Sequence, residues 1–412
     1  MLYRLPFGSK EPKENLNVFV TAFKNRKLPS QVLFLNLNGK DENLKKFAVT
    51  LHSQRNVSAL TLYFKEGPEL TKQMTKFLIL KLGRMYLSEL KISFGFYDTI
   101  SAKCLSPLFS GLKNLTWLSS LTLDLRYKML LKLVAIKELV LSLKGIRRLE
   151  RLRISIKDSL IEGKAIEELL SGLGKLKHIS HLSFDISPSM CHNFYDASSF
   201  NNVSTMLTSL KCLTSLELIL NFPGSDMESL IITYISSGLR SLTSLKNLTL
   251  SLFPRSPRIM ECGAKNLSEA LREMKSLQKL DLHFSVREFT KEYQDKLSSG
   301  FKDLKMLKHL SLFLKFDKVS EEEVESFSLA FENLKALNVL QLKFADSTKF
   351  DKKIIPILYE NLKRVNPLIH FYLEIHTKEK LETIEKKKFI SKFGKENVKL
   401  IGGYENKWNL SF

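Results

Sequence analysis

One phrase of apolar and polar positions returns along most of the chain: LxxLxLxL, with Phe or Ile admitted at the last place. It reads SLKNLTLSL, SLQKLDLHF, MLKHLSLFL and WLSSLTLDL in four of its copies. Its second apolar residue, taken as an anchor, falls at Leu33, Leu60, Leu90, Leu121, Leu152, Leu182, Leu216, Leu248, Leu280, Leu310, Leu340 and Phe371, at intervals of 27 to 34 residues. The anchor and the positions two and four beyond it are apolar in all twelve copies. At 44% apolar content that regularity has a chance of about 10⁻¹³. Alternation with period two predicts a short strand whose three apolar residues share one face, while the two between them point the other way.

Upstream of each strand the period changes. Apolar residues stand nine and six places before the anchor in ten of the twelve copies, a spacing of three that fits one face of a helix. Ten places before it a small residue is common, as at Gly111, Ser142, Gly172, Gly238, Ala270, Gly300 and Ala330. Such a residue lets a neighbouring helix approach closely, or simply ends its own helix. The run Leu139 to Leu143, LVLSL, imitates the strand phrase but falls between anchors, so the thirty-residue rhythm predicts helix there.

A strand, a helix and another parallel strand require a crossover, and repeating that unit stacks a parallel sheet on one side and helices on the other. Helices are wider than strands, so the array is expected to curve. The predicted fold is an α/β horseshoe solenoid of about twelve strand-helix repeats, sheet concave and helices convex. Twelve strands about 4.8 Å apart make an inner sheet roughly 58 Å long. Residues 29–377 form this solenoid, 1–28 an N-terminal cap segment, and 378–412 a basic C-terminal cap or tail. Within that tail, EKKKFISKFGK (385–395) is read as a cap helix covering the last repeat.

The LxxLxLxL strand followed by a helix resembles the leucine-rich-repeat superfamily, specifically its long-repeat, ribonuclease-inhibitor-like branch, over about residues 25 to 377. The departure is at anchor+5, where the family's asparagine appears only as Asn38 and Asn221, and other copies carry residues such as Lys65, Arg126, Lys157, Phe253, Lys315 or His376. Without an asparagine ladder, backbone groups buried after the strand need other partners. In this degeneracy the array looks like those of protist genomes, ciliates in particular. The resemblance implies protein binding rather than catalysis.

Composition narrows the setting. With 64 Lys and Arg against 43 Asp and Glu in 412 residues, the chain carries a formal charge of +21. Cys104, Cys191, Cys212 and Cys262 form no CxxC pair, so neither a disulfide framework nor a zinc site is suggested. The N-terminus lacks the apolar run of a secretory signal, and no stretch approaches the roughly 20 apolar residues that span a bilayer. A cytoplasmic protein acting as a single chain is expected.

The outward-facing strand positions, anchor+1 and anchor+3, hold three cations (Lys91, Arg153, Lys343) against five anions (Asp124, Asp185, Glu217, Asp281, Glu374). The inner sheet is therefore not the basic surface, and the excess charge belongs to helices, turns and tail. Candidate partner contacts on this face are Phe34, Tyr63, Ile219, Phe313 and Tyr372, since aromatic and large apolar anchors carry much of an interface's energy, with Lys91, Arg153, His283 and Lys343 among them. For any one of the aromatics the plainer explanation is β-propensity.

Catalytic chemistry is not legible. The longest interval leaves the insertion SPSMCHNFYDASSF (187–200), whose Cys191, His192 and Asp196 suggest a thiol and its base, but adjacent residues rarely face each other productively. That insertion is read as a loop, solvent-exposed or touching a partner. His181, His309 and His370 sit before strands in separated repeats without metal-ligand spacing, and no phosphate-cradling glycine motif occurs. No cofactor is implied. The expected function is a non-enzymatic scaffold that binds another protein through the concave sheet and adjoining loops. The alternative is a basic component of an assembly containing nucleic acid or anionic membrane, using exterior lysines and the tail.

Overall fold

The computed structural model describes residues 32–37, 57–64, 72–94, 102–126, 130–157, 159–187, 197–222, 228–254, 261–285, 291–315, 318–319, 321–347, 349–350, 354–365, 368, 370–377, 391 and 398–402. The cap segment 1–28, the trio Cys191, His192 and Asp196, and the tail helix expected at 385–395, of which only residue 391 is described, lie outside these residues. The chain divides into two compact units, Met1–Leu213 and Thr214–Phe412.

In the first unit, strands β1 (Val32–Leu37), β2 (Ala59–Phe64), β3 (Glu89–Phe94), β4 (Ser120–Asp124), β6 (Arg151–Ser155) and β8 (His181–Ile186) line up in that order, each parallel to the next. Two short strands, β5 (Leu130–Leu131) and β7 (Leu160–Ile161), pair with each other beyond the strand ends. Between the long strands run helices α1 (Lys72–Leu82), α2 (Ala102–Gly111), α3 (Leu133–Gly145), α4 (Gly163–Gly174) and, after β8, α5 (Ala197–Ser209).

The second unit repeats the plan. Strands β9 (Ser215–Phe222), β10 (Asn247–Pro254), β11 (Lys279–Ser285), β12 (His309–Lys315), β14 (Val339–Ser347) and β16 (His370–Thr377) are parallel neighbours, and β13 (Lys318–Val319) pairs with β15 (Lys349–Phe350) outside them. Helices α6 (Glu228–Leu239), α7 (Glu261–Glu273), α8 (Lys291–Phe301), α9 (Glu321–Leu329) and α10 (Ile354–Leu362) alternate with them. A further parallel strand, β17 (Val398–Gly402), pairs with β16 and comes from the tail.

Registry follows the apolar phrase. Leu60 pairs with Leu90, Leu90 with Leu121, Leu121 with Leu152 and Leu152 with Leu182. Leu216, Leu248, Leu280, Leu310, Leu340 and Phe371 pair in the same way. Every one of these anchors is at most 2% exposed. The residues two beyond them, from Leu62 to Leu373, are equally buried. A one-residue slip would carry all these side chains to the opposite face, so burial pins the register. The helices bury one face each, for example Ile136, Leu139, Val140 and Leu143 on α3, and the apolar strand face and the helix faces within a unit have each other to pack against.

The apolar spacing of three is not a helix face throughout. Each helix stops about nine residues before its anchor, and the next apolar residues descend by successive i→i−3 hydrogen bonds. Ile146 N–H donates to Leu143 and Leu149 N–H to Ile146; Leu176 donates to Leu173 and Ile179 to Leu176; Met274 donates to Leu271 and Leu277 to Met274. Three-residue turns place every third side chain on one side, which reproduces the spacing without α-helical geometry. The strand entrances are then stapled together. Ser119 and Ser120 N–H both donate to the Ser88 carbonyl, Glu150 and Arg151 to Ser119, and Ser180 and His181 to Glu150. The same doubled bond recurs in the second unit, from Lys246 and Asn247 to Thr214 through Asn338 and Val339 to Lys308.

Close helix packing accounts for the small residues. A Cβ on Gly111 would lie 1.9 Å from Ile79 Cγ2, and one on Gly172 would lie 2.4 Å from Val140 Cγ2, while neither glycine has a left-handed φ. In the second unit Ser236, Ser268, Ser298 and Ser328 occupy equivalent buried positions twelve residues before their anchors, and a Cβ on Gly300 would meet the Ser268 Cα at 2.9 Å. The asparagine missing after the strand is replaced in one turn by Ser159, whose hydroxyl donates to the Leu125 carbonyl at 2.5 Å.

The run Leu139 to Leu143 is helical, as the rhythm predicts, with Leu139 fully buried and Leu141 61% exposed. In a strand the two would share a face; in this helix they do not. Leu139→Asp should therefore cost several kcal/mol in urea denaturation, and Leu141→Asp no more than about 0.5 kcal/mol. Equal losses would put the segment in a strand.

Candidate functional site

The residues between the buried strand positions form the open face of each sheet, opposite the apolar one. Among the sequence candidates, Phe34 lies on β1, and its side chain is outside the described residues. Tyr63 is half-buried on β2, and Lys91 and Arg153 are exposed on β3 and β6. These four belong to separate strands of the first unit. Ile219, His283, Phe313, Lys343 and Tyr372 are half-buried on β9, β11, β12, β14 and β16 of the second.

In the second unit the structure joins most of its candidates into one row. Ser251 Oγ lies 2.9 Å from His283 Nδ1. The His283 ring meets the Phe313 ring edge-to-face, with centroids 5.8 Å apart. Lys343 Nζ stands 5.2 Å over the Phe313 ring and 3.5 Å from Glu374. Tyr372 then donates its hydroxyl to Glu374 Oε2 at 3.0 Å. This chain exists because the in-register sheet sets the anchor+3 residues of neighbouring repeats side by side. One column over, Asp281 accepts from Thr249 at 3.1 Å, pairs with Lys279 at 3.0 Å and stands 3.5 Å from His309.

The first unit carries a different device at the same column. Ser93 donates to Asp124 at 2.8 Å, and Arg126 grips both oxygens of that carboxylate at 2.5 Å. Ser155 and Ser187 both donate to Asp185 at 2.9 Å. Serine and aspartate thus alternate along four strands. Asp124, Asp281 and Glu374 are less than a tenth exposed, so much of the negative charge read on this face is spent on neighbouring groups rather than offered to solvent.

Burial shifts several of these groups. Desolvation pushes the Asp185 carboxyl above its ordinary range, against the pull of Ser155, Ser187, Lys157 and Arg126. His283 is lowered by burial, which outweighs Asp281 and Glu217 and is helped by Lys343. His309 is lowered by burial too. Tyr372 is pushed up to about 12, by burial first and then by its bond to Glu374. A neutral His283 can share a hydrogen with Ser251 and present an uncharged ring to Phe313.

Among the described residues, no three His, Cys, Asp or Glu side chains converge as a metal site. No described helix is long and apolar enough to cross a membrane. The recesses lined by Arg240, Glu269, Arg272 and Asp303, and by Glu292, Asp295 and Lys296, lie on the helix side of the second unit and hold paired surface charges.

Sequence reasoning missed the partners more than the positions. Ser93, Ser155 and Thr249 are open-face positions in the sequence but were not read as partners of Asp124, Asp185 and Asp281, and Ser187 and Lys279 were not read as their partners either, although Ser93 and Asp124, or Ser155 and Asp185, are adjacent members of one column. Treating adjacent members of a column as hydrogen-bonding neighbours would have found the first three. A second omission is the exposed pair Tyr86 and Trp117, four residues before their anchors, whose rings meet edge-to-face at 5.5 Å.

Fold and surface together define an α/β protein of repeated strand-helix units with parallel sheets and a polar, aromatic-bearing open face. No family model and no curated protein matches the chain. Among solved structures, a crystal structure of a Bacteroides fragilis protein is similar over 86% of this chain and 81% of that one, with 11% identity and a TM-score of 0.35. A likeness of that size says nothing of what the chain does.

Asp185 and His283, both partly buried, titrate with opposite effects. The folded state holds the Asp185 proton more tightly than the unfolded state, so its burial cost is present at neutral pH and relieved as pH falls through the raised pKa. The unfolded state protonates His283 first, so stability is lost as pH falls below about 6.5. Urea titrations between pH 7 and 4 should show wild type gaining on Asp185→Asn and losing against His283→Gln as the solution is acidified. Parallel curves in either comparison would contradict the assigned environment.

Proposed function

We propose that the chain is a leucine-rich-repeat scaffold of the ribonuclease-inhibitor-like branch, without enzymatic activity, that binds a partner protein in the cytoplasm. The contact surface is the open sheet face with its bordering loops, centred in the second unit. The observation that carries this reading is the connected row His283, Phe313, Lys343, Glu374 and Tyr372. Half-buried aromatics held by neighbours lose little side-chain freedom on binding, and that is the character of an energetic centre in a protein interface. Flanking positions Thr249, Ser311 and Gln341 are polar and half-buried, as a rim would be.

The alternation that buries the anchors leaves these positions free of any part in the core. A charge placed there should therefore damage binding and spare the fold. Phe313→Asp with Tyr372→Asp, compared with wild type by affinity capture from the source cell after roughly 300 mM salt and nuclease, should lose the resistant partners and keep its thermal melt. Full retention of every partner by the double variant would remove the open face from the reading.

A further inference from the structure

We propose that the first unit binds single-stranded nucleic acid along the edge where its chain turns into the strands, a surface separate from the open face assigned to a protein partner. Four residues before successive anchors stand Tyr86, Trp117, Arg148 and His178, one per repeat. Tyr86 is 58% exposed and Trp117 46%. Their rings meet edge-to-face at 5.5 Å, and the Arg148 guanidinium lies 4.2 Å from the Trp117 ring centroid. A row of planar side chains ending in an exposed tyrosine and an exposed arginine offers π-faces and cation faces to unpaired bases.

The row is held still. Two residues further on, each strand entrance is tied to the previous one by the doubled bonds to the Ser88, Ser119 and Glu150 carbonyls, and Ser88, Ser119 and Ser180 add side-chain bonds to the same series. The stacking groups therefore keep their spacing before any ligand arrives, so little ordering cost remains for binding.

Charge at this edge is one-sided. Residues 144–151 alone hold Lys144, Arg147, Arg148 and Arg151 against a single acid, Glu150. Among the described residues, Arg147 and Arg151 make no ion pair with a carboxylate. The turns of the second unit carry lysines as well, among them Lys246, Lys275, Lys305 and Lys308, but no aromatic stands four residues before any of its anchors. A predominantly cationic edge carrying fixed aromatics fits a polyanion with stackable bases. Among the described residues, the aliphatic side chains in the same turns, Leu87, Leu118, Leu149 and Ile179, are at most 1% exposed and offer nothing to a bilayer. Paired bases would hide the faces this row is built to meet, so the single strand is the better fit.

The test is fluorescence anisotropy of the full chain with labelled 20-mers of oligouridylate and oligothymidylate between 50 and 300 mM NaCl. Saturable binding of either is expected, and the tighter of the two identifies RNA or DNA as the source. Affinity should fall with salt by about 0.7 log units per phosphate neutralised for each decade of salt. Tyr86→Ala with Trp117→Ala should weaken binding about tenfold at fixed salt with an unchanged slope, whereas Arg147→Ala with Arg151→Ala should make the slope shallower. In Trp408→Phe, which leaves Trp117 as the only tryptophan, emission should quench as the oligomer saturates. Phe313→Asp with Tyr372→Asp should bind the oligomer normally, which separates this surface from the scaffold reading. The proposal is overturned by no binding at 50 mM salt, by an unaltered affinity in the aromatic double variant, or by duplex binding tighter than the single strand. Phosphatidylserine vesicles or an acidic polypeptide outcompeting the oligomer would overturn it equally.

Discussion

A slip of one residue in any long strand would exchange its buried face for its polar one, and each repeat holds its place because that exchange is too costly. Three apolar side chains per strand, each worth about 1.5 to 3 kcal/mol when fully buried, would go to water together. Pairing anchor to anchor is the arrangement that avoids the loss, and it propagates from strand to strand within each unit. Helix position, turn geometry and the composition of the open face are consequences. Helices must lie over the apolar face, the chain must descend from helix to strand in a fixed number of residues, and like positions of neighbouring repeats must stand side by side.

That last consequence turns a sequence column into a row of physical neighbours. A residue at anchor+3 is flanked by the anchor+3 residues of the strands on either side, so its environment is written about thirty residues away. Asp124 is tolerable at 7% exposure because Ser93 donates to it from the adjacent strand and Arg126 folds back over it. His283 rests between Ser251 and Phe313 for the same reason. The two units apply one geometry to different chemistry: alternating serine and aspartate in the first, and in the second an aromatic row in which Lys343 and Glu374 link Phe313 to Tyr372.

The strand phrase was fully legible because burial and alternation enforce it locally, and the helical reading of residues 139–143 followed from register alone. The three-residue apolar spacing was legible as a pattern and misread as geometry, since an α-helical face and a descent of i→i−3 turns produce the same intervals over six residues. The small residues ten places before the anchor pointed to close packing or a helix end, and the contact between the Gly172 position and Val140 decides between them. Hydrogen-bond partners along the open face were illegible residue by residue, because Ser155 carries no mark of its tie to Asp185 until the columns are aligned. Strand β17 was missed because VKLIG lacks the phrase. A strand added at the end of a sheet needs only backbone pairing, and that leaves little trace in side-chain pattern.

The register that stabilises the fold also frees two sets of positions from stabilising it. Open-face residues and those four places before the anchor contribute little to the apolar layer, so their chemistry can vary without loss of structure. Their placement is nonetheless rigid, one set carried on hydrogen-bonded strands and the other beside the stapled entrances. Rigid placement with unconstrained identity is what a binding surface requires, because affinity suffers when side chains must be ordered on contact. A cluster that is connected, rigidly placed and dispensable to the core therefore means more here than it would on a loop. His283, Phe313 and Lys343 on one face, and Tyr86, Trp117 and Arg148 on the turn edge, meet all three conditions.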